Sequence, residues 1–330
     1  MTDVEYQIPR LETLPLRMLA SAFPWSKAGR ARSRLLREAS VEPPLPVLAG
    51  STVMLPGRGE TFVRDSGGGG PTLLLLHGWL VSADLNWIRC YEPLVAAGYR
   101  VVAIDHRGHG RGIRSPAPFR LLDCAADAAA VVEQLDCGPV IAVGYSMGGP
   151  ITQLLAREHR ERLSGIVLCA TSREWQDPEV RRVWRTMGLL RLMLGVAAPG
   201  FWRTLVEISG MPAEESIAWV LAEMSRGNPA DIAEAGRELG RFDSRPWLGD
   251  ISTPAAVVVT ARDRSVLPRH QRALARQLDA PTIEVAADHL APGEPDGGFP
   301  DALLEAIAAV RAREPQVDAR DHPRAITSRG

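Results

Sequence analysis

The segment "VGYSMGGP", residues 143–150, places Ser146 two positions from a glycine on either side, Gly144 and Gly148. A serine hydroxyl is a weak nucleophile at neutral pH, and it attacks carbonyl carbon only when a base stands within hydrogen-bond reach and a third group orients that base. A sharp strand-to-helix turn would present the hydroxyl, and such a turn needs glycine on both flanks so that backbone and helix can close without Cβ clashes. The Gly-x-Ser-x-Gly triplet is a common accident in a chain with 30 glycines. Its setting is more telling: "VIAV" (140–143) reads as a buried strand running into Gly144, and "ITQLLAREH" (151–159) as a helix starting just after Gly149.

The base must be one of seven histidines. His77, in "LLHGW", ends an apolar run at a glycine turn, which presents backbone rather than a base. His106 and His109 in "DHRGHGRG" have loose spacing for metal ligands and read instead as turn scaffold. His159, His270 and His322 fall on helix surface or tail. His289, in "EVAADHLAPGEP", follows a strand-like run (282–286) late in the chain and is the candidate base. Sites in open parallel sheets gather at the carboxyl ends of strands. That rule picks Asp263 in "AAVVVTARDRSVLP" as the orienting acid, against the plainer role of a turn or cap residue before Pro268. Glu174, past the preceding strand, is the second choice.

The elements that must position these residues are short apolar runs: "TLLLL" (72–76), "VVAI" (101–104), "VIAV" (140–143), "GIVLCA" (165–170) and "AAVVVT" (255–260). Residues 86–97, 122–135 and 147–158 between them have helical length and pattern. Strand and helix alternate, so the fold class is α/β, with a mostly parallel, doubly wound sheet buried on both faces. Ahead of it, "STVMLPGRGETFVRDSGGGG" reads as a hairpin; no Gly-Lys-Ser/Thr follows its four glycines, so they are not a phosphate cradle. The interval from Ala170 to Pro254 is too long for one crossover helix. It carries helix starts at Asp177-Pro178 and Asn228-Pro229 and holds Trp175, Trp184, Trp202 and Trp219, with Trp247 at its exit. These indoles either fill a small helical core or line an apolar pocket; Trp175, Trp184 and Tyr145 are the candidate pocket residues.

The expected organisation is a basic segment and linker (1–47), a first core part (48–171), a helical lid (172–247), a second core part (248–313) and a tail (314–330) rich in charge and proline. In the 330-residue chain, 45% hydrophobic and 23% charged residues with a net charge of −1 fit a globular protein and give no sign of a nucleic-acid partner. The four cysteines form no CxxC pair or metal-ligand spacing, which fits a reducing, cytoplasmic setting. The most apolar run is broken by His77 and Gly78, too short to span a membrane, and Arg17 spoils the faint leader-like stretch at 14–22. Residues 10–39 hold seven basic against two acidic side chains. The 28–39 stretch is amphipathic; its apolar face is mostly alanine, which favours a helix docked on its own domain over peripheral contact with an anionic membrane.

From about residue 50 to 313 the chain resembles the α/β-hydrolase superfamily, of the capped esterase and lipase kind. "HGW" (77–79) resembles the family's oxyanion loop, which implies that the backbone N–H groups of Trp79 and Met147 hold the developing oxyanion. "DHRGHGRG" resembles a loop commonly reading Asp-x-Arg-Gly-x-Gly-x-Ser, with Gly112 in place of the serine. "GYSMGG" resembles the nucleophile elbow, and "ARDRSVLP" with "ADHL" the acid and base, Asp288 standing where a glycine often precedes the histidine. The chain order Ser146, Asp263, His289 is the family's order. Dehalogenases and epoxide hydrolases carry aspartate at the elbow, so Ser146 argues against both. The resemblance implies acyl transfer through a Ser-His-Asp triad on a small-molecule or lipid ester with an apolar acyl group, with no metal or organic cofactor. Carbon–carbon bond hydrolysis, thioester hydrolysis, perhydrolysis and ligand binding with weak turnover use the same frame.

Overall fold

A computed structural model describes residues 42–176, 184–195, 200, 202, 217–295 and 297–314. The basic segment (10–39), the helix start at Asp177-Pro178 and nearly all of the tail lie outside the described residues. Among those residues, no helix is long and apolar enough to cross a membrane.

Eight strands form one sheet in the order β1-β2-β4-β3-β5-β6-β7-β8. The hairpin β1 (Gly50–Leu55) and β2 (Gly59–Asp65) is antiparallel, and β2 meets β4 (Arg100–Ile104) antiparallel. All other pairings are parallel, through β3 (Thr72–Leu76), β5 (Val140–Tyr145), β6 (Leu163–Cys169), β7 (Ala255–Thr260) and β8 (Thr282–Val285). β3, β5 and β7 are buried at every position, as continuous apolar runs require when helices cover both faces. One face packs under α2 (Leu121–Gln134), α3 (Gly148–Glu158) and α6 (Pro268–Gln277), the other under α1 (Ala83–Ala96) and α7 (Phe299–Arg311). Each fully buried Leu of β3 stabilises the fold by about 2 kcal/mol in transfer terms.

Between β6 and β7 the chain carries a helical stretch at 187–195, then α4 (Ile217–Met224) and α5 (Pro229–Arg241). Asn228 caps α5 as expected, its side chain accepting from the N–H groups of Ala230 and Asp231. This segment enters and leaves at one point: Glu174 bridges Asp243, and the N–H and Oγ of Ser244 both donate to the carbonyl of Arg173. It has a small core of its own, built from Met187, Leu190, Leu194, Trp202, Met224, Ile232 and Ala233. Trp202 belongs to this core and Trp219 is buried.

Candidate active site

Parallel register brings the carboxyl ends of the central strands level: Leu76 pairs Gly144, Tyr145 pairs Cys169 and Thr260 pairs Val285. The loops carrying Trp79, Ser146, Asp263 and His289 therefore open on one edge of the sheet. At the end of β5 the chain turns so tightly that Ser146 takes φ +51°, the left-handed region that costs a non-glycine residue on the order of 1–2 kcal/mol. Three hydrogen bonds hold it there. Its N–H donates to Cys169, and its carbonyl accepts from Thr171 Oγ1 (2.7 Å) and the Gly149 N–H (2.9 Å). The flanking glycines are needed for space: a Cβ on Gly144 would meet the Gly148 carbonyl oxygen at 2.3 Å, and one on Gly148 would meet that of Leu76 at 2.0 Å.

Ser146 Oγ lies 3.0 Å from His289 Nε2, and His289 Nδ1 lies 2.7 Å from Asp263 Oδ2. The three side chains chosen from sequence thus form one hydrogen-bonded line, along which the serine proton can move to Nε2 while a buried carboxylate fixes the Nδ1–H tautomer. Asp263 is immobilised in turn. Its Oδ1 accepts the N–H groups of Ser265 and Val266, and its Oδ2 accepts Thr260 Oγ1 (2.8 Å) and Gln271 Nε2 (3.3 Å). Asp263 therefore does sit in a turn ahead of α6, as its plainer role required, and it also reaches the histidine. Glu174, the second choice of acid, lies at the base of the inserted segment, 3.7 Å from His270.

The loop after β3 approaches the serine closely: a Cβ on Gly78 would touch the Ser146 Cβ at 3.4 Å. Among the described residues no acceptor is found for the N–H of Trp79 or of Met147. Both belong to residues next to the Ser146 turn, which keeps them the candidate oxyanion donors. His77 fixes this loop and offers no free base. Its Nε2 accepts the His106 N–H (2.9 Å), which leaves Nδ1 as the protonated nitrogen donating to the Gly78 carbonyl (2.7 Å), and Asn86 Oδ1 accepts the Gly78 N–H. His106 and His109 pack on His77 with ring centroids 4.3 and 5.6 Å away. Burial holds all three well below the ordinary histidine pKa, His77 at about 4 and His109 at about 3. They are neutral scaffold, and among the described residues no group of histidine, cysteine or acid side chains could hold a metal ion.

One expectation changes. Tyr145 does not line a pocket: it is buried edge-on to Trp87 and Phe299, and its hydroxyl donates to the His289 carbonyl at 2.9 Å. Burial first, then the Asp263 charge, pushes its phenol well above the ordinary value, so it stays a donor. Gly112 is there for close packing, since a Cβ would meet the His106 carbonyl oxygen at 2.3 Å and leaves no room for serine. Trp184 and Trp175 extend from the oxyanion loop, Trp184 edge-on to Trp79 at 5.5 Å and Trp175 edge-on to Trp184 at 6.4 Å. Two open grooves of about 460 and 360 Å³ lie elsewhere, along Phe62 and Arg111 and along Phe119 and Asp231; neither includes a triad residue.

With that geometry in hand, comparison with known proteins gives a consistent result. Residues 71–206 match the family model of the alpha/beta hydrolase fold. A non-heme haloperoxidase of Rhodococcus erythropolis is 41% identical over 110 residues, 33% of this chain and 39% of the relative, so the match spans well under two thirds of that protein. 3-Oxoadipate enol-lactonase 2 of Acinetobacter baylyi is 26% identical over 220 residues, 65% of this chain and 79% of the relative. Among solved structures, a thermophilic esterase from Thermogutta terrifontis matches with a TM-score of 0.63 and 25% identity, over 79% of this chain and 99% of that one. The chain has the α/β-hydrolase fold, and the proteins it is similar to are hydrolases and haloperoxidases of that fold.

Proposed function

We propose that the protein is a serine hydrolase that cleaves carboxylic esters with apolar acyl groups. The observation that carries this reading is the unbroken line Ser146 Oγ, His289, Asp263, at 3.0 and 2.7 Å, on a strained elbow. Ser146 Oγ attacks the ester carbonyl as its proton passes to His289 Nε2, and the carbonyl oxygen, now negative, takes the N–H groups of Trp79 and Met147. Each such donor is worth roughly 10²–10³ in turnover. The intermediate collapses, the leaving alkoxide takes the proton from Nε2, and an acyl-enzyme forms. Water, deprotonated by His289, then attacks the acyl carbon and releases the acid and the free serine. The edge-on series Trp79, Trp184 and Trp175, which starts one residue past Gly78 beside Ser146, makes the surroundings of the site apolar and supports an apolar acyl group.

The likeness to a haloperoxidase favours one second reading, in which hydrogen peroxide replaces water as acceptor from the same acyl-enzyme and a peracid leaves. Hydrolysis of p-nitrophenyl esters from short to long acyl chains, by wild type and Ser146→Ala, tests the first reading. Activity that collapses in the variant is expected, with the preferred chain length sizing the pocket. A folded wild type inactive across the series overturns it. Bromide oxidation that depends on both peroxide and a carboxylic acid would move the assignment to perhydrolysis.

A further inference from the structure

We propose that the inserted helices set the oxyanion donor through the Trp79 indole, so that this side chain is a positioning residue coupling the insertion to the chemistry. The inference rests on the acyl-transfer reading above. The backbone of Trp79 offers one of the two oxyanion N–H groups, while its indole leaves the core and joins the insertion: Nε1 donates to the Ile232 carbonyl of α5 at 2.8 Å. The helix is shaped to receive it. A Cβ on Gly236, one turn beyond Ile232, would come within 3.0 Å of Trp79 Cζ2 and 2.4 Å of Met187 Sδ. A Cβ on Gly240, a further turn along, would meet the Trp184 ring at 2.6 Å. Two glycines four residues apart thus open a slot on one face of α5 for two indoles, which contact each other edge to face.

The other end of the loop is tied to the insertion as well. Ser82 caps α1, accepting from the Leu85 N–H, and donates its hydroxyl proton to Glu223 Oε2 of α4 at 2.9 Å. Glu223 is itself buried and held by Arg111 and Arg226. Between the two anchors Leu80 sits at φ +71°, a conformation that a branched residue keeps only where its surroundings over-determine it. The loop from Trp79 to Ser82 is therefore clamped at both ends by the insertion, and the N–H that must face the oxyanion lies one residue from the strained one. A shift of the insertion would move that N–H, and displacement on the 1 Å scale can cost on the order of 10²-fold in rate.

The test uses the full chain. Trp79→Phe removes the indole donor and keeps the backbone N–H; Gly236→Ala keeps Trp79 intact and pushes its ring from the other side, so it carries the test should Trp79→Phe fail to fold. Steady-state hydrolysis of p-nitrophenyl butyrate and inhibition by an alkyl trifluoromethyl ketone, which forms a tetrahedral adduct with the serine, are measured for both variants, with wild type and Ser146→Ala alongside. The expected result is a kcat lowered roughly 10-fold or more, KM within about twofold, and inhibition weakened by the same factor as kcat/KM. Unchanged kcat and inhibition in either folded variant, or a raised KM alone, overturns the coupling while Ser146-dependent hydrolysis by wild type keeps the acyl-transfer reading. Hydrolysis surviving in Ser146→Ala overturns both.

Discussion

Acid should unfold this protein well before its carboxylates are protonated, because three histidines are buried neutral under the site. His77 is held at about 4 and His109 at about 3, and His106 lies well below the ordinary value, in each case first by burial. In the unfolded chain each titrates near 6.5. The unfolded state therefore binds more protons as pH falls below that value, so stability is complete above about pH 7 and is lost on the way down to the folded pKa values. At pH 5 each histidine costs about 2 kcal/mol, and the three together about 6, against a whole stability of roughly 5–15 kcal/mol. The geometry agrees with the sign, since a second proton on His77 would have to go on Nε2, which already accepts the His106 N–H. Asp105, whose buried carboxyl is pushed up, works in the opposite sense and blunts the slope. Urea unfolding from pH 8 to pH 5 should show a stability that falls ever more steeply, towards about three protons taken up on unfolding. In His109→Gln the uptake should drop by about one proton. A urea midpoint that is the same at pH 8 and pH 5, or an unaltered proton uptake in His109→Gln, would refute this account.

Two further outcomes are expected. Asp263→Asn preserves the bonds from the Ser265 and Val266 N–H groups but removes the charge that holds the Nδ1–H tautomer of His289, and kcat for ester hydrolysis should fall by roughly 10⁴ with KM little changed; a loss under tenfold would mean that Asp263 does not orient the base. Tyr145→Phe removes the hydroxyl that secures the His289 backbone and leaves the His289 carbonyl without that donor, so thermal melting should register a loss of about 1 kcal/mol with kcat lowered several-fold; an unchanged kcat would show that the His289 loop is held without it.

Much of this site was legible because its parts obey separate local rules that converge. Gly144, Ser146 and Gly148 follow from the space a strand-to-helix turn needs, Asp263 and His289 from the ends of apolar runs, and their union from the level carboxyl edge of a parallel sheet. Tyr145 was misplaced although the signal was available: in a strand, side chains alternate, so Tyr145 must join Ile141 and Val143 on the face covered by α1 and α7, beneath the histidine. Gln271 and Asn86, which brace Asp263 and Gly78, were missed for a related reason. Each is a polar residue on the buried side of its helix, and an amphipathic pattern scored on apolar positions passes over such exceptions. The contacts between oxyanion loop and insertion had no short-range signal at all, because Trp79 and Ile232 are 153 residues apart. What the sequence does hold is the matching half of that contact, Gly236 and Gly240 spaced by four on an otherwise strongly amphipathic helix. A glycine costs a helix interior close to 1 kcal/mol relative to alanine, and two of them on one face are explained by the indoles they admit: the insertion keeps a less stable helix in order to grip the loop that carries the candidate oxyanion donor.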